Sequence, residues 1–411
     1  MGIKELRTQN ELLDLFCTLV EIPSPSKHED KVIEKIREFC IQNGINCTLD
    51  EYKNVYLNIP PTDTAKRPIM FSAHMDVVGD ASVINLILDG AYIKADGRTL
   101  GADDKAGVSA ILYLAKEIIN SKGLAHGGFE AVFTRDEETA MSGIRHVDFS
   151  KLKSKYVLVC DADKLGQIQI AGAGYTNAKL SVTGLIGGHS GIDIGDKTRL
   201  NAAKLIAEIL AEFPQGVYYE DETGVITSCN LGAIIAGGLQ NAVKTLIDEG
   251  INSSDYLTEI INRAPTNIIN TGAKASYSIR SANVQKEDEL KKIMLDITDK
   301  FNIKYKNLAK AELIFEIHLP PFEKSNDDYI PDLHTKVCRK LGIKNEVSAF
   351  HAGAETHIYA HNKNSKNEVF VPFLLGLADV YNMHSDKEKV KYDTLLSGYS
   401  IIKELFKEYN A

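Results

Sequence analysis

The sequence predicts an α/β protein: a three-layer α/β/α domain with a mixed sheet, interrupted by a smaller α+β module. Three observations carry this. Short, nearly unbroken apolar runs alternate with helical periodicities over the first 176 residues. From there to about residue 319 the runs alternate apolar and polar, as half-exposed strands do. After Pro320-Pro321 the first rhythm resumes. One domain spanning 1–176 and 320–411, with 177–319 inserted, is the simplest organisation.

Taken in order, residues 8–21 and 28–43 read as amphipathic helices, the second starting after Ser26 or Lys27 and stopped by Gly44. PIMFSAHMD (68–76), FEAVFTRDEE (129–138) and YVLVCDAD (156–163) read as strands, with a helix over GVSAILYLAKEII (107–119) between the first two. In the inserted part, TNAKLSVTG, VITSCNLGAIIAGG (225–238), KASYSIRS (274–281) and AELIFEIHL (311–319) read as strands. RLNAAKLIAEILAEF (199–213) and QKEDELKKIMLDITDKF (285–301) read as helices. A helix near 327–341, the strand VFVPFLLGL (369–377) and a helix over 389–409 complete the chain.

The chain has 411 residues, of which 44% are hydrophobic, enough for two cores. A net charge of −9, without a long basic run, speaks against nucleic acid as a partner. Cys17, Cys40, Cys47, Cys160, Cys229 and Cys338 form no CxxC pair and read as reduced thiols of a cytoplasmic protein. The N-terminal MGIKELRTQNELLDLF is too charged for a secretory signal, and no apolar run approaches the roughly 20 residues of a membrane span.

Polar residues cluster where the apolar runs end. His74 and Asp76 end one, Asp136, Glu137 and Glu138 a second, Asp161 and Asp163 a third. In open α/β sheets, sites form beyond the carboxyl ends of strands, so these groups are expected to meet. His74-Met75-Asp76 places a carboxylate where it can orient an imidazole ligand. In GADDKAG (101–107), Asp103 is the candidate for a carboxylate shared by two cations. Of two adjacent glutamates, one can bind metal while the other takes a proton from water. Asp161, with Asp163 as its rival, and His384 in YNMHSDKE complete the set. Histidine with oxygen ligands suits zinc, and cobalt or manganese also fit. Each motif alone is matched by a bland alternative, such as a solvated acidic turn or a helix start favouring acid.

Together, LVEIPSPSKHE, SAHMD, DGRTLGADDKAG, FTRDEE, VLVCDAD, GGHSG, SIRS and NMHSDKE resemble the zinc-dependent peptidase and amidohydrolase superfamily of peptidase T, aminoacyl-histidine dipeptidase, aminoacylase and succinyl-diaminopimelate desuccinylase. GADDKAG and FTRDEE are most similar to peptidase T; HAGAE and the segment after GGHSG are more similar to aminoacyl-histidine dipeptidases. The resemblance implies a cytoplasmic di- or tripeptidase of aminopeptidase type. It would hold two divalent metal ions, most simply Zn2+, in a catalytic domain under a lid through which a homodimer forms. Asp103 would bridge both metals, His74 and Asp161 completing one site, Glu138 and His384 the other. Glu137 would be the general base and Asp76 the orienting carboxylate. His189, Asn267 and Arg280 would contact the substrate, with Asn241 competing for the place of Asn267 and His351 and Glu355 as further candidates. Asn270 departs from the family's proline, and 239–265 reads as an insertion. An N-acyl amino acid amidohydrolase with the same metal core is the alternative.

Overall fold

The structure, a computed structural model, describes residues 2–121, 123–237, 258, 260, 262 and 264–411. The chain divides into two compact units: Met1–Gly172 with Phe322–Phe350 and Ala354–Ala411, and Ala173–Pro321 with His351–Gly353.

The described residues of the first unit form an eight-stranded mixed sheet. At its centre lie Phe129–Thr134, Ile69–His74, Tyr156–Ala162 and Val371–Gly376, mutually parallel neighbours in that order. All are fully or nearly fully buried, so they read as continuous apolar runs. Phe71 and Ala73 face a core shared with Val108, Ile111 and Leu112 of the helix Ala102–Asn120. Ser72, on the opposite pleat, hydrogen-bonds Tyr359 of the helix Thr356–Ala360 at 3.0 Å. Alternation along one strand thus puts helices on both faces, which makes the layers three.

Element ends depart from the sequence reading for local reasons. The helix expected over 8–21 is two helices, Ile3–Gln9 and Glu11–Val20. Asn10 is extended and caps the second, its side chain accepting from the Leu12 and Leu13 N–H groups. The next helix starts at Asp30, not after Ser26 or Lys27, because Lys27 is left-handed (φ 72°). The strand expected over 129–138 stops at Thr134, and the chain turns at Asp136 with φ 56°. Before the last helix, Tyr392–Tyr409, the strands Val380–Tyr381 and Lys389–Lys391 pair in a second, four-stranded sheet, and the loop between them carries His384.

The described residues of the second unit form a five-stranded antiparallel sheet in the order Gly216–Glu220, Ile226–Ala236, Ala273–Ser281, Gly174–Thr183, Lys310–Leu319. Its inward residues Ala178, Leu180, Ala275 and Tyr277 pack with Leu205 and Ile209 of the helix Ala202–Glu212 and Leu290 and Met294 of Val284–Lys304. The alternate residues of Gly174–Thr183 are partly or fully exposed, so among the described residues the sheet is covered on one face. No helix of the described residues is long and apolar enough to cross a membrane.

Candidate metal centre

Three parallel strands deliver the site. His74 ends one, Asp161 lies near the end of its neighbour, and Glu137 and Glu138 follow the third. The register pairs His74 with Thr134 and Ser72 with Val159, so the three carboxyl ends are level. The fourth contribution is the entrance of the helix Ala102–Asn120, where Asp103 and Asp104 keep non-helical backbone angles and regular helix begins beyond them. Gly107 permits this: a Cβ there would lie 2.5 Å from Asp104 Oδ1, which accepts the Gly107 N–H at 2.9 Å.

These segments bring together two triads of donor atoms, each within 4.8 Å: His74, Asp103 and Asp161, and Asp103, Glu138 and His384. Asp103 belongs to both. Its Oδ1 lies 3.0 Å from His74 Nε2 and its Oδ2 lies 3.1 Å from His384 Nε2. Asp161 Oδ1 is 3.5 Å from His74 Nε2, and Glu138 Oε1 is 3.1 Å from His384 Nε2. Asp163 is in neither triad; its backbone carbonyl accepts the Val380 N–H. A further grouping joins His74 with Glu137 and Glu138.

The Asp76 carboxylate lies beside the His74 ring and has further partners. His74 Nδ1 donates to the backbone carbonyl of Asp76 at 3.0 Å, whereas the carboxylate is 3.5 Å away. That carboxylate instead accepts the Glu137 N–H at 2.9 Å, the Glu138 N–H at 3.1 Å and the Ser26 hydroxyl at 2.7 Å. It therefore orients the glutamate pair, while the imidazole meets both the main-chain carbonyl and, at 3.5 Å, the carboxylate of Asp76. Behind it, Glu29 accepts the Asp136 N–H at 3.1 Å and Arg135 Nε at 2.7 Å. The grouping Glu29, Asp76 and Asp136 thus has its oxygens taken by protein donors.

The electrostatics favour cations. Burial pushes Asp161 up to about 7, with Asp103 adding to the shift, and raises Glu137 and Glu138 as well. Glu355, 1% exposed, is pushed to about 8 by burial, which Thr134 partly offsets. Burial opposes the charged form of His74, but Asp161 and Asp103 overcome it and hold its pKa well above 6.5. The hydrogen bond to Asp103 lifts His384 to about 9.

The residues fit divalent metal. Because His74 Nδ1 is the donor to a carbonyl, Nε2 of the neutral ring is a lone pair, and it faces two carboxylates. At His384, Nε2 is approached by Asp103 again and by Glu138. In the metal-free chain the carboxylates favour a proton on each ring; a zinc-type ion would take the place of those protons, since neutral imidazole nitrogens and carboxylate oxygens suit it.

In the second unit, Gly188–His189 pairs with Ile268–Ile269, and the Ser190 N–H reaches the Asn267 carbonyl at 2.9 Å, so His189 and Asn267 are neighbours. His189 Nδ1 accepts the Gly191 and Ile192 N–H groups at 3.1 and 3.3 Å, which leaves Nε2 of the neutral ring as a donor. Arg280 lies over the Tyr175 ring at 5.2 Å, beside the 2.7 Å pair of Ser228 and His351. Asn241, and with it most of 239–265, lies outside the described residues.

Fold and site define an α/β protein whose strand ends build a cluster of possible metal ligands, with Asp103 common to two triads. The chain belongs to peptidase family M20/M25/M40, whose model matches residues 70–408. It is 22% identical to the uncharacterized protein YqjE of Bacillus subtilis over 97% of this chain and 98% of that one. It is 29% identical to the cytosol non-specific dipeptidase of Escherichia coli over 49% of this chain, and the match spans 46% of that protein. Its fold is that of aminopeptidase PepT from Bacillus cereus, with TM-score 0.79 at 20% identity, covering 97% of this chain and 98% of that one.

Glu388 is the residue the sequence reading missed. It closes the quoted motif NMHSDKE, yet only the fold shows what it reaches.

Proposed function

We propose that this chain hydrolyses short peptides, di- or tripeptides, as an aminopeptidase using two divalent cations, zinc being the expected ion. The observation that carries the reading is Asp103 set between two imidazoles, with Glu137 held beside them. The names of the Escherichia coli dipeptidase and the Bacillus cereus aminopeptidase support a short-peptide substrate.

His74 and Asp161 would hold one ion, Glu138 and His384 the other, and Asp103 both. Bound there, the ions would lower the pKa of water and polarise the scissile carbonyl. Asp76 fixes the main chain of Glu137 and Glu138, so that adjacent side chains take separate work. Glu137 takes the proton of the attacking water and returns it to the leaving amine. His189 donates from Nε2 to the carbonyl oxygen, while Asn267 and Arg280 hold the rest of the substrate, Arg280 by a two-pronged contact with a carboxylate. The second unit is proposed to serve as lid and homodimer contact.

The test is hydrolysis by the full chain, loaded with Zn2+, Co2+ or Mn2+, of dipeptides, tripeptides, N-blocked peptides and N-acyl amino acids, followed by chromatography. Free-amino di- or tripeptides are expected to be cleaved and a chelator to abolish cleavage. Faster release from N-acyl amino acids would instead assign a deacylase, and no cleavage with any metal would overturn the proposal.

A further inference from the structure

The loop carrying His384 is the least supported part of the metal centre. Met383 and His384 are exposed, and Asn382 and His384 have φ of 53° and 61°, a region non-glycine residues rarely occupy. The other proposed ligands sit on or beside buried elements. What ties the loop down is Glu388, which is 1% exposed and precedes the returning strand Lys389–Lys391.

Its carboxylate closes on the backbone that carries Asp103. Oε1 accepts the Ala102 N–H at 2.8 Å and the Asp103 N–H at 3.4 Å. Oε2 accepts the Gly101 N–H at 2.9 Å and the buried Thr99 hydroxyl. Gly101 is left-handed (φ 79°), and a Cβ there would come within 2.7 Å of Val77, so this segment has little freedom to move toward another partner. The groups that Glu388 satisfies are the N–H groups of the Gly101–Asp103 turn, which precedes the regular helix and needs an acceptor of its own. One side chain therefore links the His384 loop to the Asp103 turn across 285 residues of sequence.

We propose that Glu388 is a positioning residue that sets the separation of His384 from Asp103 and thereby the affinity of the second cation position. The inference rests on the two-cation reading above. A cap serving only the helix would act on stability without choosing between the two positions. Glu388 acts chiefly on one: Asp103 is shared by both positions, but its turn is also held by Gly101 against Val77 and by Asp104 accepting the Gly107 N–H, and His74 and Asp161 sit on or at buried strands, whereas His384 relies on this link.

Full-length protein, stripped of metal and dialysed against graded free Zn2+, tests this by the zinc bound per chain, with the unfolding midpoint of the metal-free protein measured alongside. The unaltered chain is expected to bind two equivalents; if it binds fewer, the two-cation reading itself fails. For Glu388→Gln, the first equivalent is expected to stay within a few-fold of the unaltered chain and the second to weaken roughly 10–100-fold, as when an outer partner of a ligand is lost. Thr99→Val, which removes one donor and keeps the carboxylate, is expected to weaken the same equivalent by less, and it carries the test if Glu388→Gln does not fold. Two unchanged equivalents, or equal weakening of both with a lowered midpoint, would overturn the proposal.

Discussion

Asp103 Oδ2 lies 3.1 Å from His384 Nε2, although 281 residues separate them in the chain. The other oxygen of Asp103 faces His74 at 3.0 Å, so one carboxylate stands between two imidazoles delivered by different parts of the first unit. If it is shared by two cations, Asp103→Asn weakens both, because an amide offers one oxygen and no charge. Zinc content measured after dialysis is expected to fall below one equivalent per chain, with turnover reduced by more than about 10³-fold. Two retained ions would remove Asp103 from the bridging role.

Glu137 and Glu138 are adjacent, yet their proposed work differs. Glu137→Gln is expected to keep both zinc ions and to lose about 10²–10⁴-fold in kcat, the usual range for a general base. Glu138→Gln is expected to lose one ion first. Peptidase activity near that of the unaltered chain in Glu137→Gln would sink the assignment, and metal analysis of the two variants separates base from ligand.

Gly107→Ala tests the packing of the Asp103–Asp104 turn. The added methyl would lie 2.5 Å from Asp104 Oδ1, and Asp104 is 2% exposed, so neither group has room to yield. A loss of about 1–3 kcal/mol in unfolding free energy is expected from denaturant titration, the ordinary cost of overpacking. A change below about 0.5 kcal/mol would show that the turn is looser than its geometry implies.

Acid sensitivity is expected from a residue far from the metal centre. Burial holds His334 down at about 4, and its Nδ1 bonds Asn345 Oδ1 at 2.9 Å. The folded protein thus keeps His334 neutral, while the unfolded chain protonates near 6.5. Its contribution is fully present above about pH 6.5 and is lost as pH falls toward 4, where the unfolded state binds the extra proton. His334→Gln is expected to flatten that part of the stability profile by up to about 3 kcal/mol. Thermal midpoints at pH 7, 5.5 and 4 check it, and parallel profiles would refute it.

Much of this protein could be read from its residues in order. Burial on both faces makes the central strands continuous apolar runs, and the polar residues that interrupt them stand out as Asp161 and the groups around His74 and Glu137. The strand Gly174–Thr183 reads with a period of two because, among the described residues, one face of its sheet is covered. Only the tertiary structure shows that Asp161, and not Asp163, lies beside His74, since that depends on how the neighbouring strands are registered. It also turned the Asp76 carboxylate toward two backbone N–H groups, while His74 found a carbonyl. Backbone donors carry no signature in a sequence, which is why Glu388, whose partners are three N–H groups and one hydroxyl from the Asp103 segment, became legible only when that segment folded against it.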